Sequence, residues 1–143
     1  MLTREASPRG GVVLKNGSSR TLFHELRPGV VLIVAAGPGD QDVNAEVLKG
    51  LTEAIERAGT ITVFADMSRL SRISLGSIDD SIRWIKRHHA GVKEGHLLIA
   101  HVVVSLTVSM IRSAFSGSVR SYTQPALFEA AIRGHVPDFV AEP

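Results

Sequence analysis

Apolar positions along the chain fall into runs of different period, and their succession predicts the fold. "GVVLKNGSSRTLFHEL" holds two short β-like pieces, Val12–Lys15 and Thr21–Leu26, on either side of a turn rich in Asn, Gly and Ser at Asn16–Ser19, which is the composition of a hairpin. "GVVLIVAAG" at 29–37 is apolar without alternation and rich in β-branched residues, which suits a strand buried on both faces. "GPGDQDVN" breaks that strand and leaves Asp42 or Asn44 to cap a helix by accepting from its free N–H groups. Within Asn44–Ala58, Val47, Leu48, Leu51 and Ile55 recur at three and four residues, while Glu46, Lys49, Glu53, Glu56 and Arg57 fall elsewhere. An amphipathic helix is predicted there, closed by Gly59 as a left-handed C-cap.

"TITVFAD" then predicts a strand ending at Asp66, and "SIDDSIRWIKRHH" a helix with Ile78, Ile82 and Ile85 on one face. Ser77 and Asp80 have the spacing of a capping box. Asp79 and Asp80 fall in the first turn and Lys86, Arg87, His88 and His89 in the last, each sign where the helix dipole favours it. "GHLLIAHV" predicts another strand. "VSLTVSMIRSAF" is read as a helix, because Val103, Leu106, Met110 and Ala114 keep helical spacing and the run is long for a strand, even though Val, Thr and Ser favour extended chain. "SVRSYT" adds a short edge strand. "QPALFEAAI", with Pro125 near its start and Gly134 just past Arg133, makes a terminal helix. Residues 1–10 read as a loose arm and 136–143 as a tail.

The order implies an α/β fold: a mixed sheet with parallel central strands, an N-terminal hairpin and about four helices, joined by right-handed crossovers. At 143 residues the chain fits one domain, 1–143, with a single ordinary core. Hydrophobic residues are 44% and charged residues 21%, close to the soluble average, so neither disorder nor a membrane protein is expected. The longest apolar runs fall far short of the ~20 residues that span a bilayer. "MLTREASPRGG" lacks the apolar core of a secretory signal, so a cytoplasmic location is expected. The absence of cysteine agrees and excludes thiolate metal sites and cysteine nucleophiles. Sixteen Lys and Arg against fourteen Asp and Glu give a net charge of only +2, spread along the chain with no basic stripe, so nucleic acid is not an expected partner.

"FADMSRLSRISLGSIDD" concentrates the candidate chemistry. A serine at the start of a helix meets the positive end of the dipole and unpaired N–H groups, so Ser74 and Ser77 are candidate phosphoacceptors. Each also serves as an ordinary turn or cap residue. "AAGPGDQD" follows a buried strand, where α/β folds place phosphate loops, but it lacks G-x-G-x-x-G and the Walker lysine. Of the six histidines, none shows H-E-x-x-H or a matched carboxylate at ligand spacing, so no metal or other cofactor is expected. His88 and His89 suit a helix C-terminus. His101 is the one weak catalytic candidate, near the C-terminal end of an apolar strand where open sheets bind ligands, with an imidazole suited to general-base work. Trp84, the only tryptophan, sits one step off the isoleucine stripe, either anchoring an interface or finishing the core.

A strand ending in D-x-S, a short loop, S-x-G and an amphipathic helix resembles the STAS domain, the fold of anti-sigma factor antagonists and SpoIIAA-like proteins. The matching positions are Asp66, Ser68, Ser74, Gly76 and the helix start at Ser77, and the likeness runs in order over about residues 20–133. It implies a loop whose serine or threonine a partner kinase phosphorylates and a following helix that forms the partner face. The family's loop reads D-S-S-G, whereas this chain reads Ile73-Ser74-Leu75-Gly76, with leucine in the phosphoacceptor's place. Either Ser74 or Ser77 takes the role by a shifted register, or the fold is kept without the switch; the second is preferred.

The expected function is therefore a non-catalytic regulatory module acting by protein–protein contact. Residues 68–89 form its face, Asp66, Ser68, Gly76 and Trp84 are its candidate partner-binding residues, and the partner is a kinase-like regulator or a second copy. A small-ligand site, or a histidine-based enzyme, in a crevice near Gly37–Gly39, Asp66 and His101 is the alternative.

Overall fold

The computed structural model describes residues 1–100, 109 and 118–141. Among these residues the chain runs β1 (Thr3–Ala6), β2 (Val12–Asn16), β3 (Ser19–Arg27), β4 (Val30–Pro38), α1 (Gln41–Ala58), β5 (Ile61–Arg72), α2 (Leu75–His88), a 3₁₀ turn (His89–Gly91), β6 (Val92–Leu98), β7 (Ser118–Tyr122) and α3 (Pro125–His135). The seven strands form one sheet in chain order. β1 to β4 pair antiparallel and β4 to β7 parallel. The mixed sheet with parallel central strands and an N-terminal hairpin is thus as the hydrophobic pattern implies. Of the four expected helices, the one at 104–115 lies, apart from Ser109, outside the described residues, as does His101.

Turn chemistry fixes the antiparallel half. Asn16 pairs with Ser19, which leaves Gly17 and Ser18 as a two-residue loop. Gly17 has φ +61, the conformation a II′ hairpin turn needs at its first central position. Pro28 and Gly29, with Gly29 at φ +84, turn β3 into β4 as Pro and Gly do in a type II turn. β4 follows the double-burial expectation, since Val30, Val31, Leu32 and Ile33 are all buried.

Strand parity then sorts the core into two layers. Val31, Ile33 and Ala65 face α1, whose buried stripe is Val43, Val47, Leu51 and Ala54. Val30, Leu32, Phe64 and Leu98 point the other way, onto Phe128 and Ile132 of α3. Side chains two residues apart in a strand share a face, so one strand serves both layers.

Four local expectations need correction. Residues 1–10 are not a loose arm throughout: Thr3–Ala6 pairs with β2. All four residues are exposed and charged contacts tie them down, Lys15 to Glu5 at 2.9 Å and Arg4 to Glu46 at 3.2 Å. Charge suits an edge strand, which is why the segment carries no apolar strand signal. The cap of α1 is Asp40 rather than Asp42 or Asn44, its carboxylate accepting from the Val43 N–H at 2.9 Å; Gly59 closes the helix at φ +84 as expected. β5 does not end at Asp66 but continues to Arg72, with a register irregularity opposite Val34 and Ala36. The cap of α2 is Ser74, and the helix begins at Leu75 instead of Ser77. In the C-terminal tail, Val136 and Phe139 pack on the α3-side core. Among the described residues no helix is long and apolar enough to cross a membrane.

Candidate functional site

The joint between β5 and α2 is built by side chains that satisfy one another's backbone. At the irregularity in β5, Asp66 Oδ1 accepts from the Ser68 N–H at 2.9 Å and from its hydroxyl at 2.5 Å. That local closure holds the strand where its pairing is interrupted. The two predicted residues Asp66 and Ser68 are therefore brought together. They also line a cavity of about 590 Å³ on the α3 side, with Arg9, His24, Arg69 and Asp138 among its polar groups.

The strand then delivers the chain to the start of α2. Ser74 Oγ accepts from the Ser77 N–H at 3.3 Å, so Ser77 stands in the third helical position. Its own hydroxyl is buried without a hydrogen-bond partner among the described residues. The expected pairing of Ser77 with Asp80 does not form. Asp80 accepts instead from Gln41 Nε2 at 3.0 Å and Arg83 at 2.6 Å. Those bonds, Gln41's first, hold its carboxyl below its ordinary range. Asp79 and Asp80 fall past the first turn, which contains no acidic residue.

α1 positions α2. Asn44 Nδ2 donates to the Ser77 carbonyl and to Ser81 Oγ, both at 3.2 Å. Gly76 lies so close to Gln41 that a Cβ there would come within 2.6 Å of the amide. Trp84 Nε1 donates to Thr52 Oγ1 at 2.9 Å and its ring packs against the α1-side core, so the indole finishes the seam between the helices. Leu75 does the opposite: it is 79% exposed at the first position of α2, beside the cap. Of the predicted partner-face residues, Gly76 and Trp84 face α1 and Asp66 and Ser68 face one another, whereas exposed Leu75 lies outside that predicted set although the resemblance puts the phosphoacceptor at its position.

At the other end of the sheet sits a cluster that the histidine spacing did not announce. His96 on β6 is 5% exposed and stacks on Phe64 with ring centroids 4.5 Å apart. Its Nδ1 is 2.8 Å from Tyr122 Oη. Burial pushes its pKa below the ordinary imidazole value, against the opposing pull of Glu94. Glu94 lies 3.4 Å from His96 Nε2 and 3.3 Å from His135 Nε2. The expectation that no histidine meets a carboxylate at ligand spacing is corrected here. Glu94 and His96, two apart on a strand, share a face, and α3 brings His135 to them. The sequence signal was E-x-H inside a strand.

No protein-family model matches this sequence, and no curated protein matches it. Solved structures do. An uncharacterised DUF3478-family protein with a SpoIIAA-like fold from Shewanella loihica PV-4 superposes with a TM-score of 0.58 at 12% identity, over 92% of this chain and 91% of that one. The anti-sigma factor antagonist SpoIIAA in its unphosphorylated form gives a TM-score of 0.56 at 16% identity, over 80% of this chain and 98% of SpoIIAA. The chain has the STAS, SpoIIAA-like fold.

Proposed function

We propose that this protein is a non-catalytic regulatory module that works by protein–protein contact, with residues 68–89 as its partner face. The observation that carries the proposal is Leu75. One exposed leucine is ordinary, but this one stands at the N-terminal end of α2, next to the capping hydroxyl of Ser74, with polar Asp79 and Arg83 also exposed along the same helix. An apolar centre with a polar rim is the anatomy of a contact surface. The SpoIIAA-like fold supports the same function by likeness. Leu75, Asp79, Arg83, Lys86 and Arg87 of α2 are exposed, so the face of the helix turned away from α1 remains available.

Of the two candidate serines, Ser77 has its hydroxyl buried, which leaves Ser74 as the reachable one. With Leu75 filling the place before glycine, the module is read as unswitched and its partner as a separate protein. A photo-crosslinking residue at position 75, introduced in source cells, is expected to capture one protein in a defined band, and Arg83→Glu in the same chain to reduce that capture about tenfold, the loss of a rim contact of about 1.4 kcal/mol. A probe at exposed Arg27 is expected to capture nothing above background. Equal capture at 27 and 75 would sink the assignment, and a cross-linked dimer would make the partner a second copy. Phosphate on Ser74 in protein isolated from those cells would replace the unswitched form with a switched one.

A further inference from the structure

We propose that Glu94, His96 and His135 form a binding site for a divalent first-row transition ion of the zinc class, which fastens the last turn of α3 to β6. One ligand atom from each residue lies within 4.8 Å of the others. The two carboxylate-to-imidazole separations, 3.4 Å and 3.3 Å, exceed the ~2.7–2.9 Å of a charge-assisted hydrogen bond. Taken singly, each is close to the spacing of neighbouring ligands around a tetrahedral ion, since bonds of about 2.0–2.1 Å place ligand atoms about 3.3–3.4 Å apart; His96 faces Oε1 of the carboxylate and His135 faces Oε2.

A second observation points into the same space. His96 Nε2 is buried and has no hydrogen-bond partner among the described residues, although buried polar atoms are nearly always satisfied. The other ring nitrogen is held by Tyr122 Oη at 2.8 Å. In the tautomer whose Nδ1–H donates to the phenol, Nε2 presents a lone pair towards Glu94, and a ring N–H fixed by an outer partner is the usual support of a metal-bound histidine; in the other tautomer the phenol donates to Nδ1 and Nε2–H points at the carboxylate.

The rest of the cluster holds the ligands in place. His96 is sandwiched, stacking on Phe64 at 4.5 Å and on Tyr122 at 5.9 Å. His135 meets Phe64 edge-on at 5.7 Å and is the last residue of α3, where unpaired carbonyls favour positive charge. Arg120, the register partner of His96 on β7, is the cation that opposes a positive charge at this imidazole. Two imidazoles and one carboxylate suit zinc and its neighbours better than magnesium or calcium, which take oxygen. The Glu94 and His135 side chains are each 29% exposed, so water can reach a fourth position. Glu94 lies near the start of β6, whereas α2 begins beyond the C-terminal end of β5, so this site stands apart from the partner face.

The test uses the full, untagged chain stripped with a chelator and titrated with zinc by calorimetry, and with cobalt by visible absorption. One ion per chain is expected, with the intense bands of four-coordinate cobalt and a zinc-dependent rise in Tm. Glu94→Gln and His135→Ala, both at partly exposed positions, are each expected to weaken binding more than tenfold, and Tyr122→Phe by about tenfold. The double variant His88→Ala/His89→Ala, which removes the exposed histidine pair, is expected to bind as the parent does. The proposal is overturned if zinc binds no tighter than about 100 μM, if His135→Ala binds like the parent, or if the His88/His89 variant is the one that loses the ion.

Discussion

Gly39 shows how one missing Cβ sets the geometry at the start of α2. Its N–H donates to the Arg72 carbonyl at 2.7 Å, binding the end of β4 to the strand that delivers α2. A Cβ at this position would lie 2.9 Å from the Ser74 nitrogen and 3.0 Å from the Arg72 oxygen. Both are backbone atoms, so the clash is not relieved by turning a side chain. Gly39→Ala is expected to destabilise the protein by about 1–3 kcal/mol, as overpacking does, read as a lower urea midpoint at unchanged slope. A midpoint equal to the parent's would show that the loop yields freely and does not position α2. Gly76 is a softer case: its close neighbour is the end of the Gln41 side chain, which can swing away and give up its bond to Asp80. The family resemblance picks out Gly76, whereas the demand on Gly39 arises from a strand register that no local motif displays.

At the scale of the element, the helix caps separate what pattern determines from what packing determines. The amphipathic stripes of α1 and α2 were legible, because burial of one face imposes the 3.6-residue period whatever the helix meets. Their starting residues were not. Ser77 and Asp80 have the right spacing for a cap, but Ser74 has the same relation to Ser77, and Asn44 and Gln41 decide between the two by engaging Ser77 and Asp80 from α1. The choice has a measurable consequence. Ser74→Ala removes the cap bond and is expected to cost about 0.5–2 kcal/mol. Ser77→Ala removes a buried hydroxyl that has no partner among the described residues and is expected to be neutral or stabilising by up to about 1 kcal/mol. Chemical denaturation of the two variants side by side distinguishes the caps; the reverse order of stability would restore Ser77. The extension of β5 was hidden for a related reason. Met67–Arg72 is mostly polar, and its strand character comes from main-chain pairing with Ala36, Gly37 and Pro38.

Across the whole molecule, one sheet divides the apolar residues into two layers, each covered by a helix of different length among the described residues. The α1 layer is spanned by an 18-residue helix seamed to α2 through Trp84. The α3 layer is met by an 11-residue helix, a length that is marginal on its own in water and so depends on what it buries. Sequence periodicity identifies both helices but carries no sign of which face each covers. That depends on parity along β4, β5 and β6, and the same parity places Glu94, His96 and Phe64 beneath α3. Phe128, 3% exposed, is the anchor of that side, edge-on to Phe64 at 6.0 Å and to Tyr122 at 5.8 Å. Phe128→Ala should cost about 3–5 kcal/mol at its site. Because α1 touches the opposite layer, the loss should be local: hydrogen exchange is expected to accelerate in 118–135 while amides of β3, β4 and α1 keep the parent's protection. If protection instead falls equally in α1 and α3, the two layers unfold as one cooperative unit, and coverage of one face must then be felt across the sheet at the other.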